Sequence, residues 1–407
     1  MNNQNCLSTT CCVVGGGPAG LLLGYLLARG GVDVTVVEKH ADFLHDFRGD
    51  TLPPSTMEII NQLGLLDELL TLPHQRVSRM QATIGGKSVT IADFSRLPVK
   101  CPFLAFMPQW DFLNFIAEKA LSIGHFRLLR CCEVESLISQ NGVVTGIRAR
   151  QDDKILTIDA VLVVGADGRH SRVREEGKFT GRSFGAPRDV LWFKLSKRPE
   201  DHDIETGHQG SRQGFIVIDR DDYWQCGLLI EKGPFTSLID QGIVHFRSLL
   251  TTIAPFSAER YQEIGDWSQI KLLSIRIDRL DEWAKPGVLC IGDAAHAMSP
   301  IGGVGVNLAI QDAVATANLL TRPLLSGAVS LSQLKKVQQR RQFPTAATQF
   351  LQIKMSRKKR RPPSARPSAM AKVIRKLPFL PFLFGRLIGM GFRTERPAHF
   401  LTGGDSH

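Results

Sequence analysis

The chain has 407 residues, 43% hydrophobic and 22% charged, with 37 glycines and 21 prolines. These are the values of an ordinary globular protein of two or three domains, and they exclude a disordered, collagen-like or fibrous one. The net charge of +11 is unevenly placed: residues 313–407 hold 18 basic and two acidic side chains, so residues 1–312 are net negative, which speaks against a nucleic-acid-binding body. The eight cysteines (Cys6, Cys11, Cys12, Cys101, Cys131, Cys132, Cys226 and Cys290) form no C-x-x-C. They point to buried, reduced thiols in a cytoplasmic protein, with no metal site and no disulfide framework. No segment has the profile of a secretory signal or of a spanning helix, which needs ~18 apolar residues.

In chain order, Thr10–Val14 reads as a short buried strand, Gly15-Gly16-Gly17-Pro18-Ala19-Gly20 as a turn, and Leu21–Arg29 as a helix. A second strand, Val32–Val37, leads to Glu38 and Lys39. This is G-x-G-x-x-G between strand and helix, with an acidic residue after the next strand. Gly15 suits the tight turn, Gly17 the close approach of a pyrophosphate, and Gly20 the packing of helix on strand. The helix start offers unpaired N–H groups to phosphate, and Glu38 can accept the hydroxyls of an adenosine ribose. The motif alone does not separate FAD from NAD, which share an ADP half.

Two later motifs bear on that choice. Ile155–Val164 reads as a strand ending in Gly165-Ala166-Asp167-Gly168-Arg169-His170-Ser171-Arg172-Val173-Arg174. Val288–Ile291 is a buried strand ending in Gly292-Asp293-Ala294-Ala295-His296. It is followed by Ser299-Pro300, Gly302-Gly303-Val304-Gly305, Val306-Asn307 and a helix over Leu308–Leu320. A carboxylate delivered at a strand end, Asp293, suits a ribityl chain, and the glycine-loop N–H groups suit a flavin ring. NAD has no ribityl chain, so FAD is favoured. His296 near Asp293 reads either as an acid–base partner or as a structural histidine. His170 and Arg172 either meet a nicotinamide nucleotide or cap a solvated turn.

Over roughly residues 10–345 these motifs resemble the single-component FAD-dependent aromatic hydroxylases, the para-hydroxybenzoate hydroxylase and ubiquinone-hydroxylase superfamily. The resemblance implies an α/β fold: a Rossmann-type FAD-binding domain, discontinuous in sequence, with an inserted antiparallel β-sheet substrate domain and a C-terminal helical tail. Residues 1–75, 101–178 and 276–345 would form the FAD domain, 76–100 and 179–275 the substrate domain, and 346–407 the tail. Asp167 would serve FAD and NAD(P)H; Gly292, Asp293, Gly303, Gly305, Val306, Asn307 and Asp312 would belong to the second FAD motif. Arg48 matches an arginine at the FAD pyrophosphate, with a catalytic contribution, and Gln109 a residue opening the helix beside FAD. Pro300 would lie over the flavin, shaping the oxygen site. Val304 departs from the Gln found in many members of the family.

Residues 179–275 alternate and lack helical periodicity. Val190–Leu195, Gly214–Asp219, Tyr223–Ile230 and Ile270–Ile277 read as strands of an antiparallel sheet. The resemblance places substrate between that sheet and the flavin, with Trp192, Phe215, Trp224 and Gln225 as candidate lining residues. Arg220 is a candidate grip for an acidic substrate, or part of a hairpin turn with Asp221-Asp222. From about residue 346 the chain changes: Lys354–Arg361 holds six basic residues in eight, and the apolar Leu377–Phe392 follows. This tail reads either as a peripheral membrane contact or as a cap docked on the body.

The function expected from the resemblance is NAD(P)H- and O2-dependent hydroxylation of an aromatic or polyketide-like small molecule through a C4a-hydroperoxyflavin, with FAD resident and NADH or NADPH a transient donor. Alternatives are a non-catalytic carrier of a hydrophobic ligand on the same fold, or a flavin halogenase. The five tryptophans offer no W-x-W-x-I-P spacing for the halogenase.

Overall fold

The computed structural model describes residues 5–43, 51–84, 87–201, 214–220, 222–233, 235–254, 256–300, 303–356, 377 and 379–402. Its main sheet runs in the order Ala284–Lys285, Val288–Cys290, Lys154–Gly165, Asn5–Val14, Val34–Val37, Phe126–Leu129. Neighbours along this path are parallel except at the Ala284–Lys285 edge, and the antiparallel strands Val143–Gln151 and Cys132–Gln140 branch off it. A parallel strand covered on both faces reads as an apolar run, and Cys11, Cys12 and Val13 are fully buried. Burial pushes the Cys11 thiol up to about 12. Six of the eight free cysteines are buried. Cys6, on the first strand, and Cys131, in a turn, are exposed, which corrects the expectation for those two.

The Lys154–Gly165 strand explains its own mixed pattern. One edge pairs along its length with Asn5–Val14. The other edge is divided: residues 154–159 lie antiparallel to Val143–Gln151, and residues 163–165 lie parallel to Val288–Cys290. Its first half alternates because the sheet there has a wet face, and its last four residues are buried because helices cover both sides. The helices Pro18–Arg29 and Val304–Leu325 pack together against the C-terminal ends of these strands.

The inserted sheet has the order Phe215–Asp219, Tyr223–Glu231, Arg188–Ser196, Lys271–Leu273, as the alternation predicts. The helix Gly242–Ile253 was not predicted. Phe246, Leu250 and Ile253 recur at helical spacing and close a second core with Leu191, Phe193, Phe215, Trp224, Cys226 and Leu228. Residues 76–100 do not join this sheet. They form their own hairpin, Arg79–Ile84 with Lys87–Asp93, under a separate small core.

The predicted tail boundary at 346 falls inside a continuous helix, Leu331–Ser356. Of the basic run, residues 357–361 lie outside the described residues. The apolar segment forms the helix Leu380–Gly389, docked on the 79–93 hairpin through Phe384 and Ile388. Beyond it, Arg340 holds Glu395 at 2.6 Å and Arg29 donates to Thr402 O at 2.9 Å, so the end of the chain caps the body. Among the described residues no helix is long and apolar enough to cross a membrane.

A Cβ at Gly385 would stand 2.0 Å from Asp93 O, a backbone atom held in the hairpin. Gly385→Val is therefore expected to lift the tail helix off the body. Phe384 and Ile388, both half-buried, would return to water, each losing only part of the roughly 1.5–3 kcal/mol that a fully buried side chain gains. Hydrogen exchange over residues 379–392 should rise sharply while the strand Asn5–Val14 keeps its protection; unchanged exchange in the tail would show the packing to be otherwise.

Candidate active site

The first glycine turn is shaped by what lies against it. Gly15 has φ +105°, and a Cβ there would meet Ala166 O at 2.5 Å, so the turn lies directly on the Ala166-Asp167 backbone. A Cβ at Gly20 would meet Gly15 O at 1.9 Å. Gly17 is different: a Cβ there would meet nothing within 4 Å. The protein leaves that space open, at the start of a helix with no side-chain cap and no acidic residue in its first turn. Its first N–H groups have no intrahelical acceptor. Pro18 at the first helical position lacks an N–H, leaving Ala19 and Gly20 as donors.

Glu38, nearly buried, accepts from Gly16 N at 2.7 Å and from His40 N at 3.0 Å. One bond on each oxygen leaves lone pairs on both for a diol. Lys39 beside it is exposed. Asp167 is a cap: its Oδ2 accepts from Arg172 N at 2.7 Å and Val173 N at 3.1 Å, and its Oδ1 is buried with no partner among the described residues. Burial raises its pKa, against the opposing pull of Ser171 and those N–H groups.

The second motif meets the first at Gly292. A Cβ there would touch Ala19 at 3.3 Å and Ala309 at 3.4 Å, so the turn is wedged between the two helices. Gly303, at φ +63°, is the N-cap of Val304–Leu325. That helix start too lacks a side-chain cap and a first-turn acid, and Gly305, Val306 and Asn307 supply its first N–H groups. Asn307 is buried and its Oδ1 accepts from Ser55 Oγ at 2.8 Å. Asp293 is partly exposed with Arg169 at 3.9 Å, and Pro300 is exposed, its carbonyl accepting from Gly303 N at 3.0 Å. Gln109 is buried at the first position of the helix Gln109–Leu121. Arg48 lies outside the described residues.

His296 is structural. It stacks on Trp283 at 4.8 Å and its Nε2 lies 2.6 Å from Asp312 Oδ2, away from Asp293. Asp312, fully buried, also accepts from Gly292 N at 3.1 Å and from Arg341 Nε at 2.9 Å. Burial alone would raise its pKa, but His296 and Arg341 outweigh burial and hold it below the usual carboxylate range. Arg341 passes the contact on to Glu395 at 3.5 Å.

The structure separates the four predicted substrate-lining residues. Phe215 and Trp224 belong to the core under helix Gly242–Ile253, and Trp224 Nε1 donates to Asp201 at 2.8 Å. Both side chains are buried there, because strand alternation sends them to the far face. Trp192 and Gln225 are on the opposite face, Trp192 packed over Gly227 and against the small core of Val190, Leu273, Ile275 and Ile277. Arg220 sits in the hairpin turn, buried, donating to Gln225 Oε1 at 2.9 Å. Burial raises the pKa of Asp111 on helix Gln109–Leu121, and the nearby Arg220 charge opposes that rise.

Sequence reasoning missed Asp278, Gln349 and Gln352. Buried Asp278 is met by Arg174 at 3.2 Å, Arg276 at 3.1 Å and Ala297 N at 3.3 Å. Nothing in the local pattern marks it, because its partners other than Arg276 come from elsewhere in the chain. Beside the Asp167 turn a cavity of about 320 Å³ opens, lined by Arg169, His170, Arg174, Glu175, Phe179 and Arg276.

The parallel sheet, the open space at Gly17 and the two uncapped helix starts are the features of a dinucleotide-binding fold. The comparisons take this further: residues 8–351 match the FAD binding domain family, and the chain belongs to it. It is 31% identical over 354 residues to 6-methylpretetramide 4-monooxygenase of Streptomyces rimosus, covering 86% of this chain and 84% of that one. It is 27% identical over 326 residues to rifampicin monooxygenase of Streptomyces venezuelae, covering 74% of this chain and 61% of that protein. In structure it is similar to p-nitrophenol 4-monooxygenase of Pseudomonas putida, with TM-score 0.77, 20% identity and coverage of 96% and 100%. The chain is an FAD-dependent monooxygenase, which sets aside the carrier and halogenase readings.

Two outcomes test this site. The Cβ of Gly17→Val would meet no protein atom within 4 Å, so the variant should fold and melt like the wild type. Its side chain would occupy the cradle and weaken FAD binding at least tenfold, ~1.4 kcal/mol, giving colourless protein on purification; a yellow variant with full FAD content rejects the assignment. Asp312→Asn leaves Arg341 buried without its main carboxylate, a loss of about 3–5 kcal/mol. Because the folded pKa of Asp312 is lowered, its stabilisation is complete above the unfolded value of about 4 and fades as pH falls through the folded one. Denaturant melts should show the gap between wild type and variant narrowing below pH ~4. A gap unchanged at lower pH contradicts this.

Proposed function

We propose that this enzyme uses NAD(P)H and O2 to hydroxylate an aromatic or polyketide-like small molecule. The observation that carries the reading is the open cradle at Gly17, where two uncapped helix starts converge beside Glu38 and Asp293. The residues fit FAD: N–H groups of Ala19 and Gly20 for the pyrophosphate, Glu38 for the adenosine ribose, Asp293 for the ribityl chain. Gly305, Val306 and Asn307 would face the ring, and Gln109 would close one side. When bound, FAD supplies reduction by NAD(P)H, activation of O2 and transfer of one oxygen atom.

The chain's own part is binding, orientation and exclusion of water. The uncapped starts of Pro18–Arg29 and Val304–Leu325 present partial positive charge to the pyrophosphate and to the electron-rich end of the flavin ring. Pro300 would cover the oxygen site through backbone shape. Three arginines and a histidine in the cavity beside Asp167 favour a dinucleotide phosphate, which supports an NAD(P)H donor at that edge. On the substrate side we read the Trp192 and Gln225 face of the inserted sheet as the wall. Arg220, held by Gln225 and near Asp111, would order that wall more than grip a carboxylate. The domain division follows: nucleotide binding in 1–75, 101–178 and 276 onward, substrate in 179–275. Exposed Leu377, Phe379 and Leu383 are the surface on which a peripheral membrane contact would rest.

The substrate class is supported by 6-methylpretetramide 4-monooxygenase and by the similarity in fold to an anhydrotetracycline hydroxylase of Streptomyces rimosus, TM-score 0.73 at 19% identity, covering 97% of this chain and 78% of that one. The test is NAD(P)H oxidation across phenols, quinolones and polycyclic aromatics, with isotope-labelled O2 and product mass. One labelled oxygen atom should enter an aromatic product; label found only in peroxide and water across the panel counts against hydroxylation. Asp293→Ala removes charge-assisted hydrogen bonds worth roughly 1.5–3 kcal/mol, about 10- to 150-fold in FAD affinity. An affinity within about twofold of wild type would put Asp293 outside the site.

A further inference from the structure

The turn at Pro300 is held from behind by side chains that lie about fifty residues later in the chain. Gln349 and Gln352, both nearly fully buried, stand three residues apart on one face of helix Leu331–Ser356. Gln352 Oε1 accepts from Ser299 N at 3.1 Å while its Nε2 donates to Ser299 O at 2.9 Å. One side-chain amide therefore satisfies both polar groups of the residue before Pro300. Gln349 Nε2 donates to Ala297 O at 2.9 Å and to Asp278 O at 2.8 Å, and its Oε1 accepts from Arg279 at 3.3 Å. Asp278 completes the hold by accepting from Ala297 N.

The choice of side chain is informative. A primary amide donates and accepts without charge, so it pairs with a peptide group as another peptide would. A leucine would pack the same volume but leave Ser299 N–H and C=O buried and unpaired, and a lysine offers no acceptor. Downstream, Pro300 O accepts from Gly303 N, the N-cap of Val304–Leu325. A shift at Ser299 is therefore transmitted to Pro300 and to the helix start that the flavin reading assigns to the ring.

We propose that Gln349 and Gln352 are positioning residues that set where the Pro300 turn stands against the flavin and its oxygen site. The proposal rests on the flavin reading of Proposed function. It predicts that disturbing the clamp leaves FAD bound but misplaces the turn, so that O2 returns as hydrogen peroxide instead of entering product. A displacement near 1 Å is enough for effects on the order of 10²-fold in catalysis.

The test uses Gln352→Leu and Gln352→Glu in the full-length enzyme. In Gln352→Leu the FAD dissociation constant should stay within about twofold of wild type. The visible flavin spectrum should shift, and peroxide formed per NAD(P)H oxidised should rise roughly tenfold or more. In Gln352→Glu the carboxylate cannot donate to Ser299 O, but its protonated form has the donor and acceptor of the amide. Coupling and spectrum should therefore recover towards wild type as the pH is lowered, with no such recovery in Gln352→Leu. If Gln352→Leu fails to fold, the pH profile of Gln352→Glu decides alone. Wild-type spectrum and peroxide yield in Gln352→Leu, or a pH-independent Gln352→Glu, overturns the proposal. Wild-type protein that binds no FAD would instead overturn the flavin reading.

Discussion

One buried carboxylate organises the nucleotide end of this protein. Asp312 receives the Gly292 N–H, His296 and the Arg341 guanidinium at a fully dry position. The first bond fixes the turn that presents Asp293, the second fixes the chain between that turn and Pro300, and the third ties both to helix Leu331–Ser356. Arg341 then reaches Glu395, and Glu395 N donates to Gln311, one residue before Asp312. A charged group of this kind is stable in the interior only when each partner is present. The geometry of the site and the docking of the chain's end therefore depend on each other.

The electrostatics of the cradle follow from what is missing at two helix starts. Neither Pro18–Arg29 nor Val304–Leu325 has a capping side chain or an acidic residue in its first turn. An isolated helix is stabilised by such groups; here their absence keeps N–H groups and the positive ends of two dipoles available to an anionic ligand. The carboxylates that do approach, Glu38 and Asp293, lie to the side, suited to hydroxyls. Charge along the chain is divided on a larger scale as well, with residues 1–312 net negative and the excess of basic residues in 313–407.

The inserted sheet illustrates how one strand serves two purposes. Its odd-numbered positions on Arg188–Ser196 and the even-numbered ones on Tyr223–Glu231 make a private core with helix Gly242–Ile253. The other face packs Trp192 against Val190, Leu273, Ile275 and Ile277, and Arg220 lies near Asp111 at the start of helix Gln109–Leu121. The two faces thus pack against different parts of the protein, and substitutions on them have separable consequences.

The sequence by itself determined those features whose physics is local. Gly15, Gly17 and Gly20 between a buried strand and a helix declare a phosphate turn, because glycine permits the tight turn, the close approach of a pyrophosphate and the packing of helix on strand. The apolar run over Cys11–Val14 declares a covered parallel strand, and alternation over 188–231 declares an antiparallel sheet. The tertiary structure decided everything that depends on partners distant in the chain. Alternation does not say which face looks inward, so Phe215 and Trp224 went to the core and Trp192 and Gln225 to the other side. The polar faces of Leu331–Ser356 look like any solvated helix in sequence, yet Arg341, Gln349 and Gln352 are buried. A polar side chain shows its purpose only when the groups that satisfy it are in place, and here those groups lie between 29 and 71 residues away.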